Sequence, residues 1–426
     1  GYNANYGGPS NVTLVNQGTI LADSAGTISI NGLNWSNVGT VAASGGGNLS
    51  LAGTNWTNAS TLSITGGGSL TLGGSWSSSG SISETNSTVN LGGSFSLAAL
   101  GSFSRSGGNV NLVGTLNNTG TTLALDATTG SWNLVGGTIS GGTVSVAGGA
   151  RLYATGNGGT LTGGVVFVGD PSQSQPVVLD MSVGNNANAT VSGGLTVNNG
   201  TISMGNSSGG YAALVFTGTA STLGGTNAQV TFSNLSNSAY NVVQQNTAGG
   251  TLTIGPGVTI RGGTGSVGYN PNYGGSSNVS IVNQGTISAD SAGTISVNGA
   301  NWSNTGTITA SGGGNLSVSS VTGASWTNNG SMSITGGGTL TLGGTWFNPG
   351  TITDANSTVN LGGSFNVAQL STFTRSGGAV NLTGTLNNVG TTLALNAATG
   401  SWNIVGGTIN GGQVTVVDGA RLYATG

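Results

Sequence analysis

The sequence predicts an all-β chain wound as a parallel β-helix, or β-solenoid, of about 20 residues per coil. Three observations carry this expectation: a long internal repeat, a shorter repeat with a period near 20 nested inside it, and short alternating stretches punctuated by glycine. The long repeat is visible in GYNANYGGPSNVTLVNQGTI from Gly1, which returns from Gly268 as GYNPNYGGSSNVSIVNQGTI, and in RLYATG at Arg151 and again at Arg421. The interval from Gly1 to Gly268 is slightly shorter than that from Arg151 to Arg421, and the difference is one grown loop: NLSLAGTNWTN around Asn48 becomes NLSVSSVTGASWTN around Asn315. Similarity resumes on both sides of it, as expected when each turn is a local unit whose bulge points to solvent.

The short repeat is an apolar or aromatic head, usually Asn two residues later, often Gly two beyond that, then Thr or Ser and an aliphatic residue. Its heads in the first copy are Leu14, Trp35, Trp56, Trp76, Phe95 and Leu116, spaced 21, 21, 20, 19 and 21. In the second they are Ile281, Trp302, Trp326, Trp346, Phe365 and Leu386, spaced 21, 24, 20, 19 and 21. Between heads, runs such as Thr61-Leu62-Ser63-Ile64 and Ser69-Leu70-Thr71-Leu72 alternate with period 2 and end in Gly-Gly or Asn-x-Gly. These read as short strands bounded by turns, with no window of helical periodicity. A fixed coil length favours three short strands per coil, each lying over its counterpart one coil away, over hairpins. Leu, Ile and Val are then expected inside. Ser, Thr and Asn are expected outside in axial ladders, and Gly at sharp corners. Some 21 coils at ~4.8 Å each predict a rod about 100 Å long.

This organisation divides the chain into residues 1–156, the first part of copy one; 157–267, a less regular remainder; and 268–426, copy two. The second copy reaches only the equivalent of Gly156, and neither end looks capped, which leads one to expect a longer tandem array. Residues 157–267, interrupted by Asp170, Pro171 and Gln173, are the expected place for a lateral contact.

Composition narrows function. Of 426 residues, 85 are Gly, 5 are basic (all Arg), 8 are acidic and none is Cys or His. So few charges cannot form the basic face that nucleic acid requires. Zinc sites, thiolate or imidazole catalysis and disulfides are excluded by residue type. The longest apolar runs, such as Val165-Val166-Phe167-Val168, fall far short of the ~20 residues of a membrane helix. Carboxylate catalysis needs two acids close together, and only Asp170 and Asp180 are near in sequence, with Asp170 also placed to pair with Arg151. The calcium nonapeptide is missing, and Thr-x-Thr does not recur on every coil as a flat threonine plane would need. The expectation is a protein without catalysis or cofactor.

Two constellations stand out. Glu84, Arg105 and Asp126 are spaced 21 and 21, and Asp354, Arg375 and Asn396 repeat the interval. At one residue per coil they form a structural charge ladder, predicting contact between Glu84 and Arg105 and between Arg105 and Asp126; as exposed pairs they contribute only ~0–1 kcal/mol each. The heads Trp35, Trp56, Trp76, Trp302, Trp326 and Trp346 fit either an aromatic track for sugars or a stacked inner column, and their regular exchange with Leu favours the column. Tyr2, Tyr6, Tyr269 and Tyr273 sit in Gly/Asn-rich segments that read as loops, suited to local packing or a surface contact.

The Gly/Ser/Thr/Asn-rich coils, the GTL and GTI strand starts and the stretch TLTIGPGVTIRG from Thr251 to Gly262 resemble the β-helical stalks of giant bacterial surface proteins, the autotransporter passengers and filamentous-haemagglutinin-like adhesins. The resemblance implies a right-handed β-helix, the usual hand of parallel crossovers, secreted or displayed on the bacterial cell surface. Two roles follow: an extracellular structural fibre, stalk or surface layer whose partner is itself, or the stalk of an adhesin that meets glycan or another cell through a head elsewhere.

Overall fold

The computed structural model describes residue 5 and residues 8–234, 241–370 and 372–425. They form two compact units, one holding the chain to Met181 with Asn188–Thr190 and Asn198–Gly200, the other the rest. Both units are parallel β-solenoids, together about 19 turns of about 21 residues. Among the described residues there is no α-helix, only 3-10 turns such as Leu97–Leu100 and Val367–Leu370.

In the first unit the strands Thr40–Ala43, Thr61–Thr65, Ser81–Thr85 and Ser102–Ser106 lie side by side, with Val41, Leu62, Ile82 and Phe103 in register. Alternation along each strand turns every second residue inward. Stacked coils therefore make continuous columns, such as Leu49, Leu70, Val89 and Val110, at most 1% exposed. A single coil has no second layer against which to bury these side chains, so the core exists only between neighbours. The second unit repeats the arrangement: Leu316, Leu340, Val359 and Val380 form the equivalent column. Its grown loop is harmless, because Thr322 and Gly323 are exposed while Trp302 and Trp326 remain register partners.

The period near 20 holds where the short motif is strong and fails elsewhere. Thr88 covers Ser69, a step just under the period, whereas Leu179 covers Leu152 and Thr251 covers Ala220, steps well over it. The long strand Ala212–Phe232 explains the larger coils. It pairs successively with Val242–Gln245, Thr251–Ile254 and Val258–Gly262, and so supplies three rungs without a break. Larger turns in this region leave about 19 coils in place of the expected 21.

Glycine is forced where one corner sits on another. Gly74 has φ +75°, and a Cβ there would collide with the Gly53 carbonyl oxygen of the coil before it. Gly67 also has positive φ, +91°, but a Cβ there meets nothing within 4 Å. Gly67→Ala therefore carries only the left-handed backbone penalty, ~1 kcal/mol, whereas Gly74→Ala adds a backbone collision and is expected to lose ~3 kcal/mol or more. Comparing the two unfolding midpoints in urea checks this; equal losses would mean that the corner stacking is not tight.

Candidate functional site

The repeated motif builds an interior fitting. In Trp56–Asn58 the head and the residue two places on are buried and the middle residue is exposed. Trp35 and Trp56 stack with ring centroids 4.6 Å apart and planes 9° apart; Trp56 to Trp76 is 5.7 Å and Trp76 to Phe95 5.0 Å. In copy two, Trp302 to Trp326 is 4.8 Å, Trp326 to Trp346 5.9 Å and Trp346 to Phe365 4.9 Å. Each indole N–H donates to a backbone carbonyl: Trp35 to Ala52 at 2.8 Å, Trp56 to Gly73 at 2.9 Å, and Trp302 to Ser319 at 2.8 Å. All six tryptophans are at most 5% exposed, so their faces meet one another and are closed to a sugar.

The asparagines of the motif lie inside, not outside as the sequence suggested. Asn16 donates from Nδ2 to Asn37 Oδ1 at 2.7 Å, Asn37 to Asn58 at 2.8 Å, and Asn58 to Ser78 Oγ at 2.9 Å. Asn283, Asn304, Asn328 and Asn348 repeat the ladder at 2.6–2.7 Å. The signal was present: a residue two places after a buried Trp shares its face of the strand. The turn propensity of Asn-x-Gly argues the other way, and the strand alternation overrides it. An amide ladder on the outward side also exists, where Asn90, Asn111 and Asn133 climb from Thr71 at 2.9–3.1 Å.

The charge ladder is present in part, and it is not exposed. Glu84 is 1% exposed, on the inward side of its strand and in register with Ile64 below. Arg105 is its register partner above, with Nε 3.9 Å from Oε2, while Oε1 accepts the Ser87 N–H at 2.5 Å. The guanidinium also donates to the carbonyls of Gly107, Gly108 and Ser131 at 2.6–3.0 Å. Gly130 has φ +64°, which favours glycine, and a Cβ there would press against this head group. Arg105 thus staples three coils.

Asp126 is not part of the column. Its carboxylate accepts from the Thr128 and Thr129 N–H groups at 2.8 and 3.0 Å, closing its own turn, and this holds its pKa below the usual carboxylate value. The reason is topological: Ser102–Ser106 is the last strand of its sheet, and Thr122–Leu125 pairs onward with Thr143–Val146. Among the described residues no rung links Ser102–Ser106 to Thr122–Leu125, the strand that Asp126 follows. Asn396 makes the same turn in copy two, accepting from Ala398 and Thr399 N–H at 2.9 and 3.1 Å.

Asp354 and Arg375 are register partners, yet no ion pair within 4 Å joins them among the described residues. Aspartate is one methylene shorter than glutamate, and its Oδ1 is held by the Ser357 N–H at 3.0 Å. Burial pushes the Asp354 pKa up, against the opposing pull of Ser357 and Arg375. Arg375 keeps the staple, donating to Gly377, Gly378 and Ser401 at 2.5–3.1 Å. Arg151 pairs with Asp180 at 3.0 Å, not with Asp170, which caps its own turn through Ser172. Among the described residues no three acidic side chains converge as a metal site would need. Tyr2 and Tyr6 lie outside the described residues; Tyr269 and Tyr273 are half-buried.

What these fittings define is a parallel β-solenoid repeat protein whose recurring polar and aromatic groups bind coil to coil. No protein-family model matches the chain, and no curated protein does.

Arg105→Met removes the counter-charge and leaves Glu84 enclosed, which is expected to lose ~3–5 kcal/mol; Glu84→Ile with Arg105→Met extends the column above Ile64 and should recover most of it. A double-mutant cycle by chemical denaturation decides, and equal losses in the single and double variants would assign the effect to the lost carbonyl bonds. The two aspartates respond to acid in opposite directions. The raised pKa of Asp354 means that the native state binds its proton more tightly, so its contribution is greatest in acid and is lost as pH rises through the folded value. The lowered pKa of Asp126 gives a contribution present above the unfolded value and lost as pH falls through the folded one. In unfolding midpoints measured from about pH 7 to about pH 3, Asp126→Asn should blunt the loss on acidification and Asp354→Asn should abolish the gain.

Proposed function

We propose that this chain is a non-catalytic structural segment of an extracellular or bacterial cell-surface fibre, stalk or layer, built from tandem solenoid repeats that assemble with their own kind. The observation that carries the reading is where the repeat puts its chemistry. The features reproduced in both copies of the long repeat are the Trp stack, the buried Asn ladder, the arginine staple and the glycine corners. All of them bind one coil to the next. A duplicated catalytic module would instead repeat an accessible set of acid-base or nucleophilic side chains.

The exterior supports the same reading. Its outward rows are Ser, Thr and Asn, and only 3% of residues are charged, so cohesion depends little on salt. Self-association of like, uncharged, hydroxyl-bearing faces requires no partner of opposite charge.

Negative-stain images of the intact protein test it. Uniform fibres or sheets, lateral or end to end, are the expected result. Single stalks ending in a distinct tip would favour the adhesin-stalk role, and dispersed compact particles at all concentrations would end the structural reading.

A further inference from the structure

In the second unit a loop leaves the coil after Gly265–Gly268 and rejoins it at Ser280–Asn283. It is pinned at both ends and along its length. Tyr269 N–H donates to Asn298 O at 2.8 Å, Asn270 Nδ2 to Ser266 Oγ at 2.8 Å, and Gln244 Nε2 to Gly274 O at 3.1 Å. Asn270 is only 6% exposed and also accepts the Asn272 N–H. The loop is therefore a fixed wall, and between it and the outward faces of Gly293–Gly299 and Gly314–Ser320 lies a cavity of about 390 Å³. That volume falls in the range of small-molecule sites, and a preformed wall avoids the cost of ordering it on binding.

We infer that this cavity binds a neutral saccharide, with Tyr269 and Pro271 covering the apolar face of a sugar ring and the strand face supplying its hydrogen bonds. The lining fixes the ligand class. It contains no Asp, Glu, Arg or Lys, so nothing there compensates an ionic ligand. It presents Thr294, Ser296 and Ser317, whose hydroxyls make no protein hydrogen bond among the described residues, so three donor-acceptor groups stand ready for a polyol. Ser296 and Ser317 are register partners on adjacent strands, and Thr294 lies two residues before Ser296. The groups thus form a rigid grid about 4.8 Å across and about 6.6 Å along the strand, the scale of hydroxyls spread around a pyranose. Tyr and Pro beside such a grid provide apolar surface at small loss of side-chain freedom.

This inference stands apart from the fibre reading, since filaments form or fail to form whether or not the cavity is filled. The full chain is applied to a printed array of neutral oligosaccharides of glucose, galactose, mannose and N-acetylglucosamine beside sialylated and sulfated ones, and the Kd for the best-retained probe is then measured. Retention on at least one neutral class is expected, weakened about tenfold or more by Tyr269→Ala and severalfold by the near-isosteric Thr294→Val, and unchanged by Tyr153→Ala, which does not line the cavity. Thr294→Val keeps the shape of a half-buried outward position, so its effect does not depend on misfolding. No retention on any neutral probe, preference for the acidic probes, or neutral binding indifferent to both substitutions would each overturn the inference. Filaments from a chain that retains no glycan would remove it and leave the structural proposal untouched.

Discussion

Everything in this molecule depends on backbone hydrogen bonds that hold one coil directly over another in parallel register. Because the strand spacing is about 4.8 Å, any residue type repeated once per coil becomes a column of touching side chains. Indole rings at that spacing stack, as Trp35 and Trp56 do at 4.6 Å. Amides at that spacing bond head to tail, as Asn16, Asn37 and Asn58 do. Carbonyl oxygens at that spacing leave no room for a Cβ at the next corner, so Gly74 and Gly363 have no alternative. The sequence repeat is the imprint of the geometry.

The buried asparagine ladder adds something the aliphatic columns lack. Leu over Leu tolerates small displacements, since dispersion is non-directional. An amide enclosed among apolar groups is costly unless its partner sits in hydrogen-bonding position. Slipping one coil by a single residue would turn Asn37 outward and break the bonds that join it to Asn16 and Asn58. The ladder therefore selects one register among the many that a Ser/Thr/Gly-rich strand would otherwise accept.

Ionic groups are rare and occur where regularity fails. Arg105 and Arg375 bridge the places where a sheet ends and the next rung is missing, substituting guanidinium-to-carbonyl bonds for the absent ladder. Arg151 and Asp180 join the strands on which Leu152 meets Leu179, where the coil has lengthened. Charge here closes gaps in a hydrogen-bonded stack.

Sequence alone determined the parallel coil, its length where the motif is strong, the harmless loop near Gly323 and the neighbourhood of the tryptophans, because each follows from a period that local pattern displays. It also brought Glu84 beside Arg105. The inward side of Asn37 and Glu84 was encoded in two-residue spacing from Trp35 and Ile82, but turn propensity and charge each argued for the surface. Tertiary structure alone decided that the sheet stops after Ser106, that Asp126 caps a turn, that Ala212–Phe232 runs through three rungs, and that a pinned loop encloses a cavity above Thr294. Those outcomes depend on which strand covers which across gaps as wide as that from Ala220 to Thr251. Contact over such distances is settled by packing against neighbours, which no local stretch of sequence contains.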